Sequence, residues 1–185
     1  MRTSFEGSVA SIRPLEPGDA DEYLDLLARN KDFLQPYEPV RPPDYWTLAG
    51  QQDQLAVGAA EWEIGSGYAF AIIDRSDGAL VGRVALANVV RKAWQNATLG
   101  YWLDQERNGR GLTTDAARLA VGFGFGDAAL HRVQAGVMPR NERSVRVLEK
   151  IGMRVEGLAL RYLLINGAWE DHRMYALTAD EWAGR

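Results

Sequence analysis

The stretch best equipped for chemistry is Asn108-Gly109-Arg110-Gly111-Leu112-Thr113. Before it, Leu99, Tyr101 and Leu103 alternate with Thr98, Gly100 and Trp102, the period of a strand. After it, apolar residues fall at Leu112, Ala116, Leu119, Ala120 and Phe123, a helical stripe. Two glycines between a strand and a helix let the backbone run close to a ligand. The free N–H groups of the helix's first turn favour an anion there, and Arg110 adds a positive charge. The pattern suits a phosphate or pyrophosphate; it equally suits a plain glycine turn joining two packed elements. No Gly-Lys-Ser/Thr follows, so a Walker nucleotide site is excluded, and the full Gly-x-Gly-x-x-Gly of a dinucleotide site is missing.

A second group lies downstream. Asn141 is placed to cap a helix, and Ser144 sits in its first turn on the face of Leu148 and Ile151, so its hydroxyl points inward. A hydroxyl at the positive end of a helix dipole can stabilise or protonate a departing thiolate; it can also simply satisfy the cap. No Gly-x-Ser-x-Gly elbow surrounds Ser144, and no acid–histidine pair is spaced to make it a nucleophile. Glu38, Asp171 and His172 are the acid–base candidates. Asp171 and His172 are adjacent on a strand and face opposite ways, so they cannot form a dyad. The aromatic residues Tyr37, Trp102, Tyr162 and Trp169 fit a core as readily as a recognition surface.

The elements that must carry these groups follow from pattern and punctuation. Ala10 to Leu15 reads as a strand, and Asp19 with Glu22 as the capped start of a helix that stops near Asn30. Four prolines between Phe33 and Asp44 hold Tyr37, Glu38 and Arg41 in a restrained loop. A second helix spans Leu48 to Trp62, ending near Gly65. Tyr68–Ile73, Leu80–Val90 and the strand ending at Leu103 form an antiparallel meander. A helix then intervenes, so the strand Arg132–Val137 is expected parallel to the one at Leu99. A helix ending at Gly152 follows, then a hairpin of Leu158–Ile165 and Ala168–Leu177 about Asn166-Gly167. One α/β domain over residues 1–185 is expected, with a mixed, mostly antiparallel sheet and no linker or repeat.

Composition narrows the function classes. With 46% hydrophobic and 25% charged residues the chain is of the globular kind. The absence of cysteine excludes disulfides and thiolate catalysis, and two isolated histidines argue against a metal. A net charge of −4 gives no footprint for direct nucleic-acid contact. No apolar run reaches the length of a membrane span, and the first residues lack the apolar core of a signal peptide, so a cytoplasmic location is expected.

These pieces, taken in order, resemble the GNAT superfamily of N-acetyltransferases, and within it the RimJ/RimL type of ribosomal-protein-alanine N-acetyltransferase. The residues carrying the resemblance are the Tyr37-Glu38-Pro39-Val40-Arg41 loop, Leu99-Gly100-Tyr101, Gly109-Arg110-Gly111-Leu112 and Asn141-Glu142-Arg143-Ser144. They continue through Glu149-Lys150-Ile151-Gly152-Met153, Asn166-Gly167-Ala168-Trp169 and Asp171-His172. The resemblance implies the GNAT fold, with helices on both faces and a parallel strand pair splayed at the cofactor site. It implies acetyl-CoA as co-substrate and no metal. Trp102 and Leu103 would pair with pantetheine, Asn108 through Thr113 would hold the pyrophosphate, Asn141 would touch the pantetheine arm, and Ser144 would serve as acid at the sulfur. Tyr37, Glu38, Tyr162 and Trp169 would form the acceptor pocket, with Glu38 binding or deprotonating the amine.

Two positions depart from the family pattern: Asn108 and Thr113 stand at the ends of the glycine motif where Gln or Arg and Gly or Ala are usual. Leu163 stands where a RimL-type enzyme carries a glutamate base. A peptide α-amine, with a pKa of about 7.7–8.0, is partly neutral near neutrality, whereas a lysine at about 10.4 is not. A missing carboxylate therefore suits a protein or peptide N-terminus, a ribosomal protein being the family's partner, and a monomer or homodimer is expected. A small-molecule amine acetyltransferase and a non-catalytic acyl-CoA-binding module are the alternatives.

Overall fold

A computed structural model describes residues 4–183. The strands are β1 (Phe5–Glu6), β2 (Ala10–Pro14), β3 (Tyr68–Asp74), β4 (Leu80–Val90), β5 (Asn96–Leu103), β6 (Arg132–Val137), β7 (Arg154–Ile165) and β8 (Ala168–Thr178). The helices are α1 (Ala20–Leu34), α2 (Leu48–Ile64), α3 (Leu112–Phe125), α4 (Glu142–Lys150) and the short α5 (Ala179–Ala183). All eight strands form one sheet in the order β1-β2-β3-β4-β5-β6-β8-β7. Every neighbouring pair is antiparallel except β5 and β6, which run parallel because α3 carries the chain back across the sheet.

Alternation along β5 distributes its side chains to the two faces. Tyr101 reaches α4, where its hydroxyl meets Ser144, while Trp102 points the other way and packs on Tyr23 of α1, ring centroids 5.7 Å apart. On the α3 face, Phe123 sits among Phe5, Trp62, Tyr68 and Phe70 with centroids 4.9–5.6 Å away. A fully buried aromatic of this kind is worth about 3–5 kcal/mol when truncated to alanine. The opposite face is sealed by Tyr23, Leu26 and Leu27 of α1 with Leu55 of α2.

The N-terminal third differs from the sequence reading in two places. Asp19 does not cap α1: its carboxylate takes a bidentate pair from Arg13 at 2.7 and 2.8 Å and the Glu16 N–H at 2.8 Å. Asn30 does not end the helix, which continues to Leu34; it is buried, donating to Asp104 at 3.1 Å and accepting the Gln105 N–H at 2.8 Å. Asp19 finds its partners within six residues, whereas Asn30 bonds to groups that only the tertiary fold brings near. Elsewhere punctuation and structure agree, as at Gly65 and Gly152, which end α2 and α4 with left-handed φ of 70° and 84°.

Candidate active site

β5 and β6 are paired only over Asn96–Thr98 and Arg132–Gln134. Beyond those residues the strands part, and Leu99–Leu103 and Ala135–Val137 line the two walls of a cleft of about 790 Å³. β4 pairs with the far edge of β5 as far as Leu103, so the β6-facing backbone groups from Leu99 onward have no strand partner among the described residues. A splayed parallel pair is thus an open ladder inside a cleft, able to accept an extended amide-bearing ligand.

Below the cleft lies the glycine turn. Gly109 and Gly111 take φ of 81° and 83°, a region costly for residues with a Cβ. Space is not the reason, since an added Cβ meets nothing within 4 Å at Gly109 and only Val9 at 3.9 Å at Gly111. Gly111 starts α3 and has no side chain to cap it, so the first N–H groups of the helix face a recess of about 360 Å³. Asn108, Leu112 and Thr113 line that recess with the glycines.

The recess receives its positive charge from α4: Arg143, Arg146 and Lys150 line its other side. Their spacing of three and four places them on one helix face, a signal present in the sequence that the motif reading passed over. Arg110 is the member of the turn that points elsewhere. Its guanidinium pairs with Asp74 at 2.8 Å and donates to Ser76 at 3.1 Å. Arg107 joins the same buried carboxylate at 3.0 Å. Hydrogen bonds from Ser76, aided by the two arginines, hold Asp74 below the ordinary carboxylate range. Asp104, at the other end of the turn, is bound by Arg29 at 2.7 Å and by Asn30. Arg110 is therefore a strut that fixes the loop, and the N–H groups it presents are preorganised by two buried carboxylates.

Ser144 stands on the cleft wall at the start of α4. Asn141 accepts the Ser144 N–H at 3.2 Å, which makes it the helix cap, and it too lines the cleft. The Ser144 hydroxyl lies 2.9 Å from that of Tyr101, which also reaches the Ser144 carbonyl at 3.1 Å. Burial pushes the Tyr101 phenol up, more than its bond to Ser144 lowers it, so it stays a neutral hydroxyl. The two hydroxyls form a hydrogen-bonded pair, and both residues line the cleft.

The opposite end is built by the proline loop and the last hairpin. Tyr37 and Glu38 line the cleft. The hairpin turn is tied to the loop by the Asn166 N–H, which donates to the Glu38 carbonyl at 2.9 Å. Burial pushes the Glu38 carboxyl up, opposed by Arg41, whose Nε is 3.6 Å away. Trp102 and Leu103 line the cleft from β5. Tyr162 and Trp169 do not line it; they stand on the hairpin 42% and 62% exposed, more open than a core role allows. Tyr162 meets the cleft only through His172, onto whose ring it packs edge-on at 5.7 Å. His172 itself is buried and lines the cleft. Leu163 is 43% exposed and pairs across the hairpin with Glu170. No group of three or more His, Cys, Asp or Glu able to hold a metal occurs among the described residues.

With this geometry in view, residues 11–154 match the family described as an acetyltransferase (GNAT) domain. The chain is a GNAT acetyltransferase. It is 43% identical over 173 residues to the probable N-acetyltransferase YjcK of Bacillus subtilis, covering 94% of this chain and 96% of that protein. It is 34% identical to the [ribosomal protein uS5]-alanine N-acetyltransferase of Escherichia coli, over 92% of this chain and 88% of that one. Among solved structures, Mycobacterium smegmatis RimJ in complex with CoA-disulfide superposes with a TM-score of 0.89 at 33% identity, covering 94% of this chain and 84% of that chain. The expected fold is thus observed, as is membership among RimJ/RimL-type relatives. No helix among the described residues is long and apolar enough to cross a membrane.

Proposed function

We propose that this acetyltransferase moves the acetyl group of acetyl-CoA directly onto the N-terminal α-amine of a protein or peptide that begins with alanine or serine. The observation carrying this reading is the cleft through the splayed β5–β6 pair, which joins an anion recess at α3 to a carboxylate-bearing loop at its far end. The residues present fit the donor. Unpaired backbone of β5 at Trp102 and Leu103 suits the amides of pantetheine, and Asn141 borders the same path. The N–H groups around Asn108, Gly109, Gly111, Leu112 and Thr113, backed by Arg143, Arg146 and Lys150, suit a pyrophosphate. The relatives support both halves: one is a complex with CoA-disulfide, the other a ribosomal-protein-alanine N-acetyltransferase.

In this reading Ser144, supported by Tyr101, donates a hydrogen bond to the sulfur as the C–S bond breaks. The thiolate's conjugate acid has a pKa of about 8.5, so such a donor helps without being obligatory. Glu38 faces the incoming amine. Its carboxylate form attracts an ammonium, and Arg41 keeps it oriented. Direct transfer follows from the chain itself, which has no cysteine and no serine–histidine–acid constellation to hold an acyl group.

The test is a panel of acceptors read by mass spectrometry with acetyl-CoA as donor. Peptides starting with alanine or serine are expected to gain one acetyl group at the α-amine, and their N-blocked forms none. Acetylation confined to polyamines, amino acids or aminoglycosides would replace the peptide reading, and binding of acetyl-CoA without transfer to any amine would overturn it.

A further inference from the structure

Leu163 on the hairpin has no group that can take a proton, and the Glu38 carboxylate is paired with Arg41. A proton acceptor for the amine is therefore to be sought among the other groups on the cleft wall. His172 of β8 is one of six buried polar or charged residues among the described residues and is 3% exposed. Its Nδ1 lies 3.0 Å from the Glu170 carbonyl oxygen. A carbonyl can only accept, so Nδ1 carries the hydrogen and Nε2 carries the lone pair. Nε2 bonds to no described residue. Nor is it one of the sealed side-chain atoms that lack a hydrogen bond, which among the described residues are Arg41 Nε, Asn96 Oδ1 and Tyr175 OH. An unpaired and unsealed nitrogen on a residue that lines the cleft opens onto the cleft.

The surroundings hold the ring in that pose. Tyr162 of β7 packs edge-on against it, and on the β6 side it lies beside Gly136, where an added Cβ would be 3.6 Å from the ring carbon Cδ2. The nearby charges are already engaged: Glu170 pairs with Arg140, Glu38 with Arg41, and Asp171 accepts the Arg161 N–H at 2.8 Å. Arg173 is the next residue on the strand and points to the other face. Tyr162 thus acts on the site through a ring it positions.

We infer that His172 is the general base of this acetyltransferase, its Nε2 taking the proton from the acceptor amine. The inference rests on the reading of the cleft given above. As the amine nitrogen bonds to the acetyl carbon, one N–H proton passes to Nε2 and the carbonyl electrons move to oxygen. Those electrons return as the C–S bond breaks, and the sulfur keeps that bond's pair and takes the Ser144 hydroxyl proton, which water replaces. The imidazolium then gives its proton to water, so the products are the amide and the free thiol. Nδ1–H stays on the Glu170 carbonyl throughout, which steadies the ring as it charges.

The test uses the full chain and whichever amine the parent acetylates, so a wrong acceptor class and a wrong base are separate outcomes. H172N keeps a donor near the Nδ1 position for the Glu170 carbonyl and removes Nε2. Its kcat is expected to fall at least a hundredfold, with acetyl-CoA affinity within twofold of the parent. In H172A, added imidazole is expected to restore turnover in proportion to its free-base fraction, which a structural role would not produce. A kcat within threefold of the parent in folded H172N overturns the inference. So does lost activity that imidazole fails to rescue in an H172A protein that still binds acetyl-CoA. Should H172N unfold, H172Q with the same rescue in H172A decides.

Discussion

At the α3 end of the cleft the binding groups are backbone N–H groups, set by two residues two positions apart, Gly109 and Gly111. At the hairpin end they are side chains from the loop after α1 and from β8, segments tied by the Asn166 N–H to the Glu38 carbonyl and by Arg140, which bridges Glu170 and the Pro36 carbonyl. The first end is rigid by construction, clamped by Asp74 and Asp104. The second exposes Tyr162, Leu164 and Trp169. The difference separates what every member must bind from what distinguishes one member from another. A donor common to a family can be held by main chain, whose chemistry does not depend on sequence. An acceptor that varies must be read by side chains on a surface free to change.

Four substitutions test that division, beginning with the largest effect. Ser144→Ala removes the donor at the sulfur and is expected to lower kcat about a hundredfold, while acetyl-CoA affinity barely changes because the bond strengthens only in the transition state. Single-turnover kinetics decide it: an unchanged chemical rate would leave Ser144 as a packing partner of Tyr101.

Gly111→Val forces a β-branched residue into φ of 83° and is expected to cost at least tenfold in acetyl-CoA affinity, about 1.4 kcal/mol. Calorimetry on folded variant protein is the measurement. Unaltered affinity would remove the turn from the donor site.

Glu38→Gln is expected to raise the peptide KM several-fold and to leave acetyl-CoA binding alone. Its pH dependence has a defined sign. Burial raises the Glu38 carboxyl in the folded state, so the protonated form favours folding; that contribution is complete below the unfolded pKa and lost as pH rises through the folded one. The variant should therefore melt no lower than the parent at pH 7, with the gap closing as the pH is lowered toward 4. A variant that melts lower at pH 7 would show that the pair with Arg41 outweighs the burial.

Trp169→Ala carries the smallest effect. It is 62% exposed, so its melting temperature should stay within a degree or two, while the peptide KM rises about two- to threefold. Equal KM across several peptides would place acceptor recognition nearer His172 and Tyr37.

Much of the molecule follows from local rules. Asn166-Gly167 makes its hairpin, Gly65 and Gly152 end their helices, and β4 and β6 span the ranges read from alternation alone. The parallel pairing of β5 with β6 followed from the intervening helix. The strand, the two left-handed glycines and the helix of the proposed donor site were legible for the same reason, since they are a short-range pattern. Asn30 was misread because its partner is Asp104, and Arg110 because its partner is Asp74. A side chain that serves a distant carboxylate looks, in sequence, like one free to serve a ligand.

The sequence by itself therefore determined the elements, their order and the glycine turn ahead of α3, because these rest on hydrogen bonds and steric limits between near neighbours. Only the tertiary structure decided where the charges point. It bound Arg110 to a buried carboxylate and left Arg143, Arg146 and Lys150 facing the recess. It also set the Nδ1 of His172 against a backbone carbonyl and its ring on the cleft wall. A side chain's chemistry is fixed by what remains unpaired once the chain has folded, and pairing is a property of contacts between segments far apart in sequence.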